Sequence, residues 1–220
     1  MLLNERDQEA SVKCLQLLTH RNKEYWKSIV DAGGVDKLFD IVRKYASSLL
    51  PQTQPVKPKT TNLVHQLSMV NKQQAKNVQI TTLTPANREA ITLDSISVIC
   101  NLSDHDEVKQ VLGNITDLSS VLMTLLEHCS NKDIISRVAI LIADVGIGND
   151  ANKSLFADGG CLAKLIGLLN SDVEDLLVNC VNAIEIMCIN NQSNQNFCCN
   201  NGIIETFISL LNLSSGKYIL

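Results

Sequence analysis

One apolar pattern, with side chains at positions i, i+3, i+6 and i+7, recurs four times along this chain, each time after a turn that contains glycine. This spacing places four apolar side chains on one side of a helix. A chain that repeats one such helix is predicted to stack the copies, because each copy needs a neighbour to cover its apolar side. The four copies are Val35, Leu38, Ile41 and Val42; Ile115, Leu118, Val121 and Leu122; Leu162, Leu165, Leu168 and Leu169; and Ile204, Phe207, Leu210 and Leu211.

The turns before the four copies all carry glycine, which adopts positive φ without strain and so permits a sharp change of direction between helices. We expect positive φ at each turn. The third copy begins 47 residues after the second, and the fourth begins 42 residues after the third. These intervals are typical of helical solenoid repeats. The turns are DAGG at 31–34, LGN at 112–114, DGG at 158–160 and NNG at 200–202.

A longer helix is predicted after each of the first three copies, and one more before the first turn. Thr84 followed by Pro85 is a strong helix start, since threonine caps the first turn and proline fits the first helical position. A polar turn and a short helix then lead to the next glycine turn. One unit therefore consists of three helices, one short and two longer. The predicted longer helices cover 9–20, 86–103, 133–146 and 173–189.

This order of elements resembles the armadillo repeat family, whose units have a short helix, a glycine turn, a second helix reading G-I-x-x-L-x-x-L-L and a long third helix ending near L-x-N-L. The tract IVDAGGVDKLFDIV at 29–42 is the most similar. The resemblance implies an all-α, right-handed helical solenoid with about three complete repeats and partial repeats at both ends. Neither end has the polar surface of a capping repeat, so we expect a piece or short isoform of a longer solenoid.

The whole chain, 1–220, is interpreted as one armadillo-like domain interrupted by a basic insertion at about 47–83. All four prolines lie between Pro51 and Pro85, and between Ile41 and Arg88 there are seven Lys or Arg but no Asp or Glu. The insertion is expected to be a disordered loop. The alternative is a docking or phosphorylation segment, in which phosphate would offset the basic charge. Its candidate hydroxyl residues are Thr53, Thr60, Thr61, Ser68 and Thr84.

Composition and cysteine placement favour an intracellular protein of the cytoplasm or nucleus. Charged residues near Met1 interrupt any leader-like apolar run, and no apolar run approaches the length of about 20 residues that a membrane span needs. Several of the eight cysteines lie among aliphatic residues at helical spacing, where a reduced thiol acts as a small buried apolar group. Those cysteines are Cys14, Cys100, Cys180 and Cys188.

The resemblance also implies that the third helices line a concave groove in which a recurring asparagine binds the backbone of an extended peptide. Leu17, Asn101, Asp144 and Ile186 occupy that position here, so only one of the four is asparagine. The aromatic residue that nuclear-import members carry four residues earlier is also absent, so a clamp for nuclear-localisation signals is not expected. A polar, mildly acidic surface remains, whose alternative interpretation is a solvated helix face. Its members are Asp94, Ser97, Asn101, Arg137, Asp144, Asn179 and Asn182.

No catalytic residue, cofactor or metal site is predicted. The segment 144–154 has Gly, Lys and Ser but lacks the spacing of a phosphate-binding loop. The four histidines show no metal-ligand spacing. Trp26 is interpreted as a packing residue, and so are Cys198 and Cys199, which are adjacent to each other. We predict a non-catalytic scaffold with protein partners and without nucleic acid, membrane or small-molecule substrates. The alternatives are an enzyme or metal-binding module using Cys, His or the acidic loop 103–107, and an unstable fragment without independent activity.

Overall fold

The computed structural model describes residues 5–20, 24–51 and 84–217, and within these ranges the chain forms helices and no strand. Twelve helices follow one another in these ranges, and we number them in chain order. They are α1 Glu5–Thr19, α2 Trp26–Asp31, α3 Gly34–Leu49, α4 Pro85–Leu102, α5 Asp106–Gly113, α6 Leu118–His128, α7 Lys132–Gly146, α8 Asp150–Asp158, α9 Cys161–Leu168, α10 Glu174–Cys188, α11 Gln192–Asn200 and α12 Ile203–Lys217.

The helices group into three-helix units, as the sequence predicts. Three units are complete within the described residues: α2 to α4, α5 to α7, and α8 to α10. Helix α1 is the third helix of a preceding unit, and α11 and α12 are the first two helices of a following one. The predicted third helices agree with α1, α4, α7 and α10 to within a few residues.

Helices of the same kind stack on one another from unit to unit. The third helices pack in the order α1, α4, α7 and α10, and the second helices pack in the order α3, α6 and α9. The core lies between these two layers and is mostly aliphatic. Stacked repeats bury apolar side chains within each unit and between neighbouring units. Among the core residues with no exposed surface are Phe39, Leu122, Ile142, Phe156 and Met187.

Three of the four glycine turns have the predicted geometry. Gly33, Gly160 and Gly202 adopt φ of 66°, 86° and 76°, each just before a second helix. The expectation is wrong at 112–114, where Gly113 ends α5 and Asn114 has φ of −87°. Glycine at 113 leaves room for the neighbouring unit, because a Cβ at this position would lie 2.6 Å from Asn152 Nδ2.

The first three copies of the apolar pattern face the core, whereas the fourth is largely exposed. Leu162 and Leu169 are buried, yet the corresponding Ile204 is 52% exposed and the corresponding Leu211 is 67% exposed. Both copies start at the same place relative to a left-handed glycine, so their positions in the unit are equivalent. The difference follows from stacking: within the described residues, no further unit covers this side of α12.

A pair of asparagines joins the units at two successive junctions. Asn149 caps α8 by accepting a hydrogen bond from the backbone N–H of Asn152, at 3.0 Å. The buried Asn152 side chain in turn donates through Nδ2 to the carbonyl of Val145, at 3.4 Å. Asn191 and Asn194 repeat the arrangement at α11. The motif satisfies both a free N–H at the start of the short helix and a free carbonyl at the end of the third helix.

Asn194 makes the shorter of the two inter-helix bonds, with its Nδ2 lying 2.8 Å from the carbonyl oxygen of Met187. The neighbouring Gln195 donates through Nε2 to the carbonyl of Cys188, also at 2.8 Å. Between the two helices, Asn190 adopts φ of 56°, a conformation that asparagine tolerates better than most residues. The sequence N-x-x-N therefore holds α11 firmly against the end of α10.

A buried lysine links the first and third helices of the third unit. Lys153 on α8 is 3% exposed, and its Nζ lies 2.7 Å from the carbonyl oxygen of Ile189, which follows α10. Its second partner is Asp150, one turn earlier, at 3.1 Å. A cation at the C-terminus of a helix offsets the partial negative charge of the exposed carbonyls. Lys153, in the segment with a weak likeness to a phosphate-binding loop, is thus engaged in packing.

An ion pair ties the second helices of the first two units together. The guanidinium of Arg43 on α3 donates through Nε and Nη2 to the two carboxylate oxygens of Asp117, at 2.5 and 2.8 Å. The two parallel bonds fix the geometry of the pair. Arg43 lowers the pKa of Asp117, chiefly through the hydrogen bond.

The described chain adjoins the insertion on both sides. Helix α3 continues to Leu49, beyond the predicted start of the insertion, and Thr84 caps α4 by accepting from the N–H of Asn87 at 3.2 Å. The remainder, 52–83, lies outside the described residues, together with the hydroxyl residues Thr53, Thr60, Thr61 and Ser68.

All eight cysteines have free thiols. Cys100 and Cys180 are buried as expected, and Cys188 is half-buried. The expectation is wrong for Cys14, which is exposed on α1, because no described helix precedes α1 to cover that side. Cys198 is buried and Cys199, its neighbour, is exposed.

Candidate protein-binding surface

Three neighbouring third helices carry the predicted surface residues. Asp94, Ser97 and Asn101 lie along α4 with the spacing of one helix face. Arg137 and Asp144 lie on α7, which packs against α4, and Asn179 and Asn182 lie on α10, which packs against α7. The stacking of these helices therefore brings the residues onto one continuous layer. We call the seven residues together the third-helix surface.

Hydrogen bonds between side chains of neighbouring third helices engage three of the seven residues. Asn101 Nδ2 donates to Thr19 Oγ1 on α1 at 3.2 Å. Ser103 Oγ donates to Asp144 Oδ2 at 2.5 Å. Thr19 lies two residues after Leu17, and Ser103 lies two residues after Asn101. Leu17, Asn101 and Asp144 were aligned at one position of successive units, so the two bonds repeat and agree with the predicted register of Asn101 and Asp144.

The third bond joins Asn179 Nδ2 on α10 to Ser136 Oγ on α7, at 2.8 Å. An asparagine amide and a carboxylate each have several hydrogen-bonding sites, so one bond to a neighbouring helix leaves capacity for another partner. These side chains therefore hold the stack together and orient polar atoms along it.

The exposure of the surface varies from residue to residue. Asn182 is exposed, and Asp94, Asn101, Arg137, Asp144 and Asn179 are half-buried. Ser97 is only 5% exposed, since it lies against the neighbouring helices, and so it offers a partner little area.

Burial and neighbouring carboxylates shape the charge of the surface. Burial raises the pKa of Asp94, with Glu9 adding to the rise and Lys13 opposing it. Burial also raises the pKa of Asp144, which the hydrogen bond from Ser103 and the charge of Lys109 partly offset. Carboxylates that have lost part of their hydration gain more than fully hydrated ones from an approaching cation.

Two exposed aliphatic side chains lie on the third helices outside the seven predicted binding residues. Leu17 on α1 is 71% exposed, and Val178 on α10 is 55% exposed and one turn from Asn182. The pattern of apolar spacing does not distinguish such residues from core residues. They add apolar contact area beside the polar groups.

Trp26 and the acidic loop 103–107, both considered in the sequence analysis, contact each other. The ring of His105 stacks on Trp26, with centroids 4.3 Å apart and an interplanar angle of 16°, which joins α2 to the start of the second unit. Among the described residues, no group of three or more His, Cys, Asp or Glu is placed to hold a metal ion. None of the described helices is both long and apolar enough to cross a membrane.

Comparison with solved structures defines the fold as that of armadillo repeat proteins. A computationally designed armadillo repeat protein for modular peptide recognition aligns with a TM-score of 0.65 at 16% identity, over 94% of this chain and 69% of that one. A designed armadillo repeat protein in complex with the peptide (KR)4 aligns with a TM-score of 0.63, also at 16% identity, over 95% of this chain and 70% of that one. The predicted all-α solenoid is confirmed.

The sequence is similar to that of a particular natural protein, the human ankyrin and armadillo repeat-containing protein. The identity is 25% over 185 residues, which is 84% of this chain. The chain spans about a tenth of the length of that relative. No protein-family model matches the chain. The resemblance to armadillo repeats predicted from the glycine turns is thus confirmed by a sequence relative and by solved structures.

Proposed function

We propose that this chain is a non-catalytic scaffold that binds a partner protein through the third-helix surface. The observation that carries the proposal is the uninterrupted stack α1, α4, α7 and α10, which lines up half-buried polar groups from successive units. Stacked helices offer a long surface without a closed pocket, which suits an extended segment of another protein.

The chemistry of the surface favours a partner segment that carries Lys or Arg. Asp94 and Asp144 lie on neighbouring helices. Each has a lysine nearby, Lys13 and Lys109 respectively, and also a second carboxylate, Glu9 and Asp104 respectively. The structural neighbour bound to the peptide (KR)4 supports this choice, because it shows that the same fold presents a surface to a basic peptide.

A direct test compares a labelled peptide of alternating Lys and Arg with a Ser and Gln peptide of equal length. Fluorescence anisotropy is expected to show binding of the basic peptide only. In the double variant Asp94→Lys with Asp144→Lys, affinity should fall by about 5- to 30-fold, the loss expected for two partly exposed charges. The single variant Asp94→Lys keeps the bond between Ser103 and Asp144 intact and should show part of the loss.

The matched control is Asp158→Lys, which reverses an exposed charge on α8, outside the third-helix surface. Circular dichroism of every variant establishes that helicity is retained. Equal affinity in all variants, or an equal loss in the control, would contradict binding at this surface. Equal binding of the two peptides would contradict the basic chemistry of the partner.

A further inference from the structure

Two cysteines meet at the junction between the third unit and α11. Cys188 is the last residue of α10, Cys198 lies near the end of α11, and their Sγ atoms are 3.5 Å apart. The preceding unit has Gly146 and Phe156 at the corresponding positions. The thiol pair is therefore particular to this junction and is not part of the repeated core.

The pair is assembled by bonds that do not involve sulfur. The side chains of Asn194 and Gln195 each donate, at 2.8 Å, to carbonyls at the end of α10. These two bonds hold α11 in place, and the two thiols share an S–H···S hydrogen bond without a disulfide between them. A disulfide requires an S–S distance of about 2.05 Å, so rotation about the two Cα–Cβ bonds must bring the sulfur atoms closer than the observed 3.5 Å.

The pair also borders open space. A cleft of about 380 Å³ lies between α10, α11 and α12, and both Cys188 and Cys198 line it, together with the exposed Cys199. Its other walls are mainly aliphatic and aromatic, from Val181, Ile184, Ile203 and Phe207. A small oxidant such as hydrogen peroxide therefore has a route to the half-buried Cys188.

We propose that Cys188 and Cys198 form a disulfide when the folded chain meets hydrogen peroxide, and that this bond locks α11 to the third unit. In the first step, peroxide oxidises the Cys188 thiol to a sulfenic acid and is itself reduced to water. In the second step, Cys198 sulfur attacks the Cys188 sulfur, the S–O bond breaks, and the Cys198 proton leaves with the hydroxide as a second water. One peroxide thus accepts the two electrons and two protons that the thiols lose.

The surroundings make this a slow reaction. Burial raises the pKa of Cys198 to about 12 and also raises the pKa of Cys188. Because the thiolate is the reactive form, the pair stays reduced under brief exposure and responds to sustained exposure. Cys199, exposed beside it, is the competing site.

The test follows the bond in the variant Cys199→Ser, which removes the competitor. Protein is treated with hydrogen peroxide, its remaining thiols are alkylated, and cleavage after Glu185 and Glu205 releases the peptide 186–205. A second cleavage after Phe197 separates Cys188 from Cys198. We expect mass spectrometry to find the two halves joined, with the loss of two hydrogens, and separated after treatment with dithiothreitol.

The controls are Cys188→Ser and Cys198→Ser in the same background, each of which should yield no joined halves. Separate halves with both thiols alkylated, or with sulfinic acid on Cys188, would overturn the proposal. So would an equal yield of the joined product in denaturant, since the fold would then not assemble the pair. A second readout is urea unfolding, where the oxidised protein should show a higher midpoint that dithiothreitol reverses.

Discussion

Asn152 and Asn194 show how single buried amides fix the register between units. Each is almost fully buried, and each donates to a main-chain carbonyl at the end of the preceding third helix. A buried carbonyl without a partner destabilises the fold by the full cost of its lost hydration. The pattern N-x-x-N at 149–152 and 191–194 was a signal that sequence analysis could have used, but asparagine is so common in turns that the residues attract no notice.

We predict that Asn194→Ala lowers the free energy of unfolding by about 1–3 kcal/mol, because the carbonyl of Met187 loses its partner inside the protein. Urea unfolding followed by circular dichroism measures the change. Asn196→Ala is the matched control, since Asn196 is exposed and bonds only to the Gln192 side chain on the surface. It should change stability by no more than about 0.5 kcal/mol, and a similar loss in both variants would contradict the role of Asn194.

Asp144 and Asp117 are expected to respond to pH in opposite directions. Burial raises the pKa of Asp144 above its ordinary value of 3.8, so its stabilising contribution is complete in acid and is lost as pH rises through the folded-state pKa. Arg43 lowers the pKa of Asp117 below 3.8, so its contribution is present at neutral pH and is lost as pH falls. We predict that Asp117→Asn destabilises the protein most at neutral pH, and that the difference shrinks in acid.

For Asp144→Asn, the stability relative to the unmodified chain should instead improve as pH rises above about 4. Urea unfolding of the three proteins at several values between about pH 3 and 7 measures both trends. Parallel curves for the two variants would show that one of the assigned surroundings is wrong.

The predicted register of Asn101 and Asp144 agrees with the structure, but sequence reasoning could not assign the neighbours of the third-helix residues. The register that aligns Asn101 with Asp144 reappears as matching hydrogen bonds to Thr19 and Ser103. Those bonds depend on the distance between helices that are distant in sequence, which a repeat alignment does not contain. For the same reason the burial of Ser97 could not be predicted.

At the scale of the helices, substitution of a left-handed glycine tests backbone conformation separately from packing. Gly33 has φ of 66°, and a Cβ there would meet no atom within 4 Å. The cost of Gly33→Ala is therefore conformational only. We predict a loss of about 1–2 kcal/mol in the free energy of unfolding, measured by urea unfolding, and a smaller loss for Gly33→Asn.

Gly167→Ala provides the control of opposite sign. Gly167 is exposed within helix α9, and a Cβ there also meets no atom within 4 Å. Alanine favours helical geometry over glycine, so we expect a gain of about 0.5–1 kcal/mol. If both substitutions shifted stability in the same direction, backbone geometry would not be the cause.

The helices themselves were largely predictable because their apolar spacing and caps are local. The turn at 112–114 was not, because the glycine there makes room for Asn152 instead of adopting positive φ. The exposure of Ile204 and Leu211 was not predictable either. The pattern shows which side of a helix is apolar, and only the neighbouring unit determines whether that side is covered.

For the whole molecule, stability should decline from the middle of the stack outwards. Helix α7 packs on α4 and α10 and also contacts α5, α6 and α8, whereas α1 packs mainly on α4 and α12 mainly on α11. In a stack held by nearest-neighbour contacts, the outer units open first. We predict that hydrogen exchange read by mass spectrometry is slowest in 132–146 and fastest in the described parts of α1 and α12.

Equal protection along the chain would instead indicate a single cooperative unit. A third outcome, slow exchange in α12 alone, would mean that its apolar side is covered in solution. Either result would contradict the simple nearest-neighbour account.

The stacked rings of Trp26 and His105 have a practical consequence for anyone who studies this chain in solution. Since Trp26 is the sole tryptophan, tryptophan emission reports only on the contact where α2 meets the start of the second unit. A change in tryptophan emission therefore reports the loss of the contact between Trp26 and His105. It does not report unfolding of α10 to α12. Thermal unfolding followed by tryptophan fluorescence and by circular dichroism therefore measures two different processes. A difference between the two midpoints would show how far the contact between α2 and the second unit opens independently of the rest.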